Sequence, residues 1–177
     1  MIDWAYFPRS SPITPLGHKI VAVFEHVAGD IDSGLNDHLI GRDFKEATSD
    51  IILARVRPGL EQIGFKVEAG KKAAHKISVP VLFGRKGSAT RSFEADAFHE
   101  AEGFVIEIEA GRAIANNQFL KDLFEACVMV DVNYLAIAVR NTYKRAKDFD
   151  TAHTFIDTLY SSDRLSLPLK GVLIIGY

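Results

Sequence analysis

Two runs with almost no polar side chain, Tyr134 to Val139 and Val172 to Ile175, constrain this chain more than any other feature. A strand wetted on one face alternates apolar and polar residues, whereas a strand covered on both faces leaves no position for polar ones. Both runs therefore read as buried central strands. Between them, Thr151 to Tyr160 reads as a helix, and a strand–helix–strand unit of this kind suits a parallel, right-handed crossover. An α/β fold follows. With 177 residues, 47% of them hydrophobic, the chain is expected to form a single domain over 1–177.

Toward the N-terminus, Thr14 followed by Pro15 is a helix start, since Thr caps free N–H groups and Pro at the first helical position lacks one. A helix to about Val27 follows, although Ile20, Val21, Val23, Phe24 and Val27 are dense enough to leave a strand as the alternative. Gly29 to Gly34 reads as a loop. From about Phe44 a second helix directs Ile51, Ile52, Val56 and Leu60 to a core, is kinked or restarted at Pro58-Gly59, and ends just after Glu61. Residues 1–45 are thus expected as an N-terminal helical extension packed on the domain.

Beyond Gly64 the period changes to that of strands. Phe65 to Glu68, His75 to Phe83, Arg91 to Glu100 and Phe104 to Ala110 read as a four-strand meander, punctuated by Gly70, by Gly84 to Ser88 and by Glu102-Gly103. Asn116 or Asn117 then caps a helix to about Val130, with Leu120, Leu123, Phe124, Cys127 and Val128 as its apolar face.

The chemistry is concentrated between Phe93 and Ala110. With Glu102-Gly103 as a two-residue hairpin turn, Phe98 faces Glu107 and Asp96 faces Glu109. Glu94, Asp96, Glu107 and Glu109 then share one face, and Ile106 and Ile108 point the other way into the core. A slip of one residue destroys that arrangement. Carboxylates so close repel one another unless a cation lies among them, and magnesium prefers such oxygen ligands. The alternative is a solvated sheet face on which the same acids pair with Arg91, Arg112 and Lys76.

This segment resembles the PD-(D/E)XK nuclease superfamily, over the run from the helix ending near Glu61 to the strand ending near Val139. In that superfamily an acidic residue in one strand and an acidic-x-lysine triplet in the next carry the chemistry. Asp96 matches the first position and Glu107-Ile108-Glu109 the triplet. Ala95 stands where proline is usual, and Glu109 where lysine is usual, as in a minority of restriction enzymes.

The resemblance implies a restriction-endonuclease-like core, a central mixed sheet flanked by helices, with the extra N-terminal helices outside it. It implies magnesium or manganese held by Asp96, Glu107 and the Ile108 carbonyl, with Glu109 orienting or deprotonating water. Glu61 from the preceding helix and Gln118 from the following one are the further site candidates, and Lys121 is a source of a displaced cation. The implied activity is metal-dependent hydrolysis of DNA phosphodiester bonds, in a restriction or mobile-element system. A noncatalytic DNA-binding or assembly module of the same fold is the alternative, favoured by the missing lysine. Double-strand cleavage would imply a homodimer.

Charge and composition bound these expectations. Against 21 basic residues stand 23 acidic ones, a net charge of −2, so a DNA surface has to be local. Its candidate contributors are Lys71, Lys72, Lys76, Arg85, Lys86, Arg91, Arg140, Lys144, Arg145 and Lys147. One cysteine, Cys127, excludes a disulfide framework and a cysteine zinc site, and reads as a packing residue. His75 and His99 belong to no ligand-spaced grouping, Gly84 to Ser88 lacks the spacing of a phosphate loop, and Ser161-Ser162 with His153 makes no nucleophile elbow. No apolar run reaches membrane-spanning length and no leader is evident, so a cytoplasmic protein is expected.

Overall fold

The computed structural model describes residues 2–40, 49–70, 72–111, 113–114, 116–143, 146–162 and 164–177, with the side chains of residues 30–40 and 73 left aside. Lys71, Arg112, Lys144 and Arg145 lie outside the described residues, as does the expected start of the second helix near Phe44. The protein is mixed α/β. Its strands are β1 (Asp3–Phe7), β2 (Lys66–Val67), β3 (Ile77–Phe83), β4 (Ala89–Ala95), β5 (Ala97–His99), β6 (Phe104–Glu109), β7 (Tyr134–Val139) and β8 (Gly171–Gly176). Its α-helices among the described residues are α1 (Pro15–Ile40), α2 (Ser49–Gln62), α3 (Gln118–Val128) and α4 (Asp148–Ser161). No described helix is long and apolar enough to cross a membrane.

Six strands form one mixed sheet in the order β1-β8-β7-β6-β5-β2, and β3 and β4 form a separate two-stranded sheet. The polar-free runs are β7 and β8, which pair in parallel at the centre, joined through α4. Side chains of β6, β7 and β8 alternate between two cores. Phe104, Ile106, Ile108, Ala136, Ala138, Leu173 and Ile175 pack against α1 and α2. Val105, Leu135, Ile137, Val139, Val172 and Ile174 pack against α3 and α4.

The N-terminal 45 residues are not a purely helical extension. Residues 3–7 are β1, paired antiparallel with β8 from Asp3↔Gly176 to Phe7↔Val172. The helix start at Thr14 holds, with Thr14 Oγ1 accepting the Gly17 N–H at 3.0 Å. The loop expected at Gly29 to Gly34 is instead part of α1. Each glycine costs a helix only about 1 kcal/mol, and no proline interrupts residues 16–40. Pro58 lies inside α2. Gly59 beside it lets α1 approach, since a Cβ there would meet Val23 Cγ1 at 2.8 Å.

The expected strand Arg91 to Glu100 is two strands that separate at Asp96, because β4 pairs with β3 while β5 pairs with β2 and β6. The turn differs as well. His99 pairs with Phe104 and Phe98 with Val105, leaving Glu100 to Gly103 as a four-residue loop. Gly103 closes it at φ +62°, where a Cβ would collide with the Asp131 carbonyl oxygen. The Glu102 N–H also donates to His99 Nδ1 at 3.2 Å. The register is thus displaced by two residues from the one expected, and an even displacement keeps every side chain on its face.

α3 is rotated relative to its expected apolar stripe. Phe119, Asp122, Leu123 and Ala126 are buried, whereas Phe124 and Val128 are exposed. Asn117 precedes the helix in a left-handed conformation, with no cap bond from its side chain.

Candidate active site

Asp96 stands where the chain leaves one sheet for the other. Its carbonyl oxygen accepts the Glu68 N–H at 2.8 Å, and its Oδ2 accepts the Ile108 N–H at 2.8 Å. The second contact is available because β5 pairs with β6 only as far as Ile106, so the edge of β6 beyond that point is free of a strand partner on that side. A strand residue directs its N–H and C=O to the same edge. The Ile108 carbonyl therefore opens toward Asp96 too.

By alternation with Ile106 and Ile108, Glu107 and Glu109 lie on the sheet face covered by α3. α3 contributes Asp122, only 6% exposed, to the same place. The carboxyl groups of Glu109 and Asp122 are hydrogen-bonded to each other. Asp122 Oδ2 is buried with no hydrogen-bond partner among the described residues.

Each of these acids holds its proton more tightly than an ordinary carboxylic acid. Burial, partly offset by the Ile108 N–H, raises Asp96 to about 7, with the charges of Glu68 and Glu109 adding to the rise. Burial and then the charge of Glu109 raise Asp122 to about 8. Burial likewise lifts Glu107 well above the usual range, with Asp96, Asp122 and Glu125 adding to it. Glu109 is raised by burial and held back by Asp122 and Lys121. Both members of the Glu109–Asp122 pair are thus raised, chiefly by burial, and two carboxyl groups at close range resist being charged together.

Positive charge meets the cluster from two sides. Lys121 on α3 lowers Glu107, Glu109 and Asp122 alike, while its Nζ pairs with Glu125 at 3.1 Å. Lys76 bridges buried Glu68 at 2.8 Å and exposed Glu94 at 3.4 Å. Arg57 donates to the Glu68 carbonyl at 2.6 Å and so fixes the backbone that holds Asp96. Of the acids placed together by sequence, Glu94 alone has this ordinary exposed pairing. The Arg91 guanidinium lies over the Phe93 ring at 5.9 Å instead of among the acids.

Asp96 is hydrogen-bonded to the Ile108 N–H, and its charge and those of Glu107 and Glu109 are near enough to act on one another. Gln118 is half-buried at the first turn of α3, one helical turn before Asp122 and on the same side of the helix. Glu61 is exposed near the end of α2, which packs on the opposite sheet face, and it does not figure among the charges acting on Asp96, Glu107 or Glu109. Glu68 acts on Asp96 in its place. Asp122 and Glu68 were not legible as site residues, although an Asp at position 122 of the stripe 119, 122, 123, 126 is a charged residue at core spacing.

Among the described residues no group of three or more His, Cys, Asp or Glu side chains is placed so that it could hold a metal ion by itself. The donor set is nonetheless all oxygen, the kind a hard divalent ion takes when water and substrate complete its shell. Asp122 Oδ2, buried and unpartnered, fits the same chemistry. Compared with protein-family models, curated proteins and solved structures, the chain matches none.

Proposed function

We propose that the protein is a metal-dependent DNA endonuclease with a restriction-endonuclease-like core, hydrolysing phosphodiester bonds at Asp96, Glu107 and Glu109. One observation carries this reading: half-buried Asp96, Glu107 and Glu109 and buried Asp122 act on one another's charge, and Asp122 has an unpartnered buried oxygen. Buried polar groups are ordinarily satisfied and like charges ordinarily kept apart, so such a cluster is a cost that a cation offsets. The order of β4, β5, β6, α3 and β7 around it supports the fold resemblance.

Asp96, Glu107 and the Ile108 carbonyl would hold magnesium or manganese. Bound there, the ion would polarise a phosphate and acidify its water. Glu109 accepts the proton of the attacking water, for which its raised pKa makes it a stronger base than an exposed glutamate. Asp122 lies beside Glu109 and adds a further carboxyl group to the site. Lys121 brings from the helix the positive charge that the triplet lacks at position 109.

Incubation of plasmid DNA with protein and magnesium or manganese tests the reading. The wild type is expected to nick or linearise the plasmid, and Glu107→Ala to cut at least about 100-fold more slowly. Wild type and variant equally inert while both bind DNA would instead establish a noncatalytic DNA-binding module.

A further inference from the structure

We infer that the β3–β4 hairpin is a DNA-reading arm that enters the major groove of a duplex. The inference rests on the proposed action on DNA and adds where and how the duplex is held.

The hairpin is a two-stranded antiparallel ribbon outside the main sheet. Its base is anchored: Val79 and Ala95 are buried, Ile77, Val81 and Phe93 pack against the core on the α3 side, and the Val130 N–H donates to the Pro80 carbonyl at 2.9 Å. Beyond that base every residue from Leu82 to Arg91 is exposed. The tip is nevertheless ordered by its own bonds, Gly84 N–H to the Ser88 carbonyl at 2.8 Å and Ser88 Oγ to the Arg85 carbonyl at 3.1 Å.

Two features of this arm ask for a partner. Leu82 and Phe83 are 60% and 53% exposed, and the register shifts around Leu82 place two adjacent large apolar residues on a ribbon that covers neither. The arm is also basic within a chain of net charge −2. Residues 77–95 carry Arg85, Lys86 and Arg91 against one acid, Glu94, which is engaged with Lys76.

A duplex supplies both complements. Its major groove admits a two-stranded ribbon, its phosphates take Arg and Lys, and its thymine methyl groups take apolar side chains. The position fits as well, because β4 ends at Ala95 and the next residue is Asp96. A duplex gripped by the arm is therefore held at the residue that leads into the carboxylate site.

Fluorescence anisotropy of a labelled mixed-sequence duplex of about 30 base pairs, without divalent metal and across a salt series, tests the arm. The variants are Arg85→Ser/Lys86→Ser and Leu82→Ser/Phe83→Ser, all at exposed positions, with far-ultraviolet circular dichroism as the check on folding. The first is expected to reduce the slope of log K against log[salt] by about 2, as two phosphate contacts are lost. The second is expected to weaken binding about 10-fold or more with the slope unchanged. Methyl green, a major-groove ligand, should compete with the wild type, and netropsin, a minor-groove ligand, should not.

Wild-type affinity and slope retained in both variants, with the wild type binding and cutting DNA, would overturn the arm and leave the proposed activity standing. A wild type that binds no duplex would overturn the DNA reading, and the arm with it. Displacement by netropsin alone would overturn the groove assignment, and preferential binding of RNA or anionic vesicles through these same residues would overturn duplex DNA as the occupant.

Discussion

Glu109→Gln is expected to cut DNA about 10²–10⁴-fold more slowly than the wild type, the range for loss of a general base, with magnesium affinity changed only a few-fold. Glutamine keeps a hydrogen-bonding group opposite Asp122 but cannot accept the proton of water, so the variant separates chemistry from packing. Glu109→Lys asks the opposite question. It places lysine where the superfamily motif has it, beside Asp122 and the nearby Lys121 charge. Added positive charge at the phosphate should tighten DNA binding. A filter-binding assay alongside the cleavage rate measures both effects. Unchanged DNA affinity in Glu109→Lys would show that residue 109 does not face the phosphate, and undiminished cleavage by Glu109→Gln would remove it as the base.

The second large effect is on stability. Asp96 and Asp122 start from ordinary values of 3.8 and rise to about 7 and about 8 in the fold, and Glu107 and Glu109 also rise. Between about pH 4 and pH 8 the folded protein therefore holds protons that the unfolded chain has released, and stability falls as pH rises across that window. Below it the acids are protonated in both states and the penalty is absent; above it the penalty is complete.

A tenfold difference in proton affinity between the folded and unfolded states is worth about 1.4 kcal/mol, and screening within the cluster reduces the sum over its acids. A loss of about 3 kcal/mol between pH 5 and pH 8.5 is therefore expected. That corresponds to a Tm lower by roughly 6–12 °C in a chain of this size. Asp122→Asn should flatten the profile and raise the metal-free Tm at pH 8.5, and saturating magnesium should restore wild-type stability there. A Tm that rises with pH over this range, or an Asp122→Asn protein less stable at pH 8.5, would mark the acids as structural ion-pair partners.

How much of this was legible in sequence depended on whether the signal was local. β7 and β8 announce themselves through runs without polar breaks, and the face shared by Glu107 and Glu109 follows from their spacing of two. The alternation of β5 against β6 survived a wrong turn, because four loop residues in place of two displace the register evenly. What was hidden is set by tertiary contact. β1 exists through its pairing with β8, and five residues ending before Pro8 carry little pattern of their own. The break at Asp96 depends on which strands lie beside β4 and β5. The rotation of α3 brings Asp122 inward and leaves Phe124 outside, against the helix's own apolar stripe. A buried aspartate there makes sense only beside Glu109, a residue of another element.

Calorimetric titration of the protein with magnesium at pH 7, in two buffers of different ionisation enthalpy, tests the carboxylate cluster most directly. Asp96 and Asp122 hold protons near that pH, and an ion must displace them to reach charged oxygens. The expected result is a single bound ion with net proton release, reduced in Asp122→Asn, and with affinity lost in Glu107→Ala. Magnesium bound equally by wild type and Glu107→Ala, or binding without release of protons to the buffer, would contradict a metal centre built on Asp96, Glu107 and Glu109.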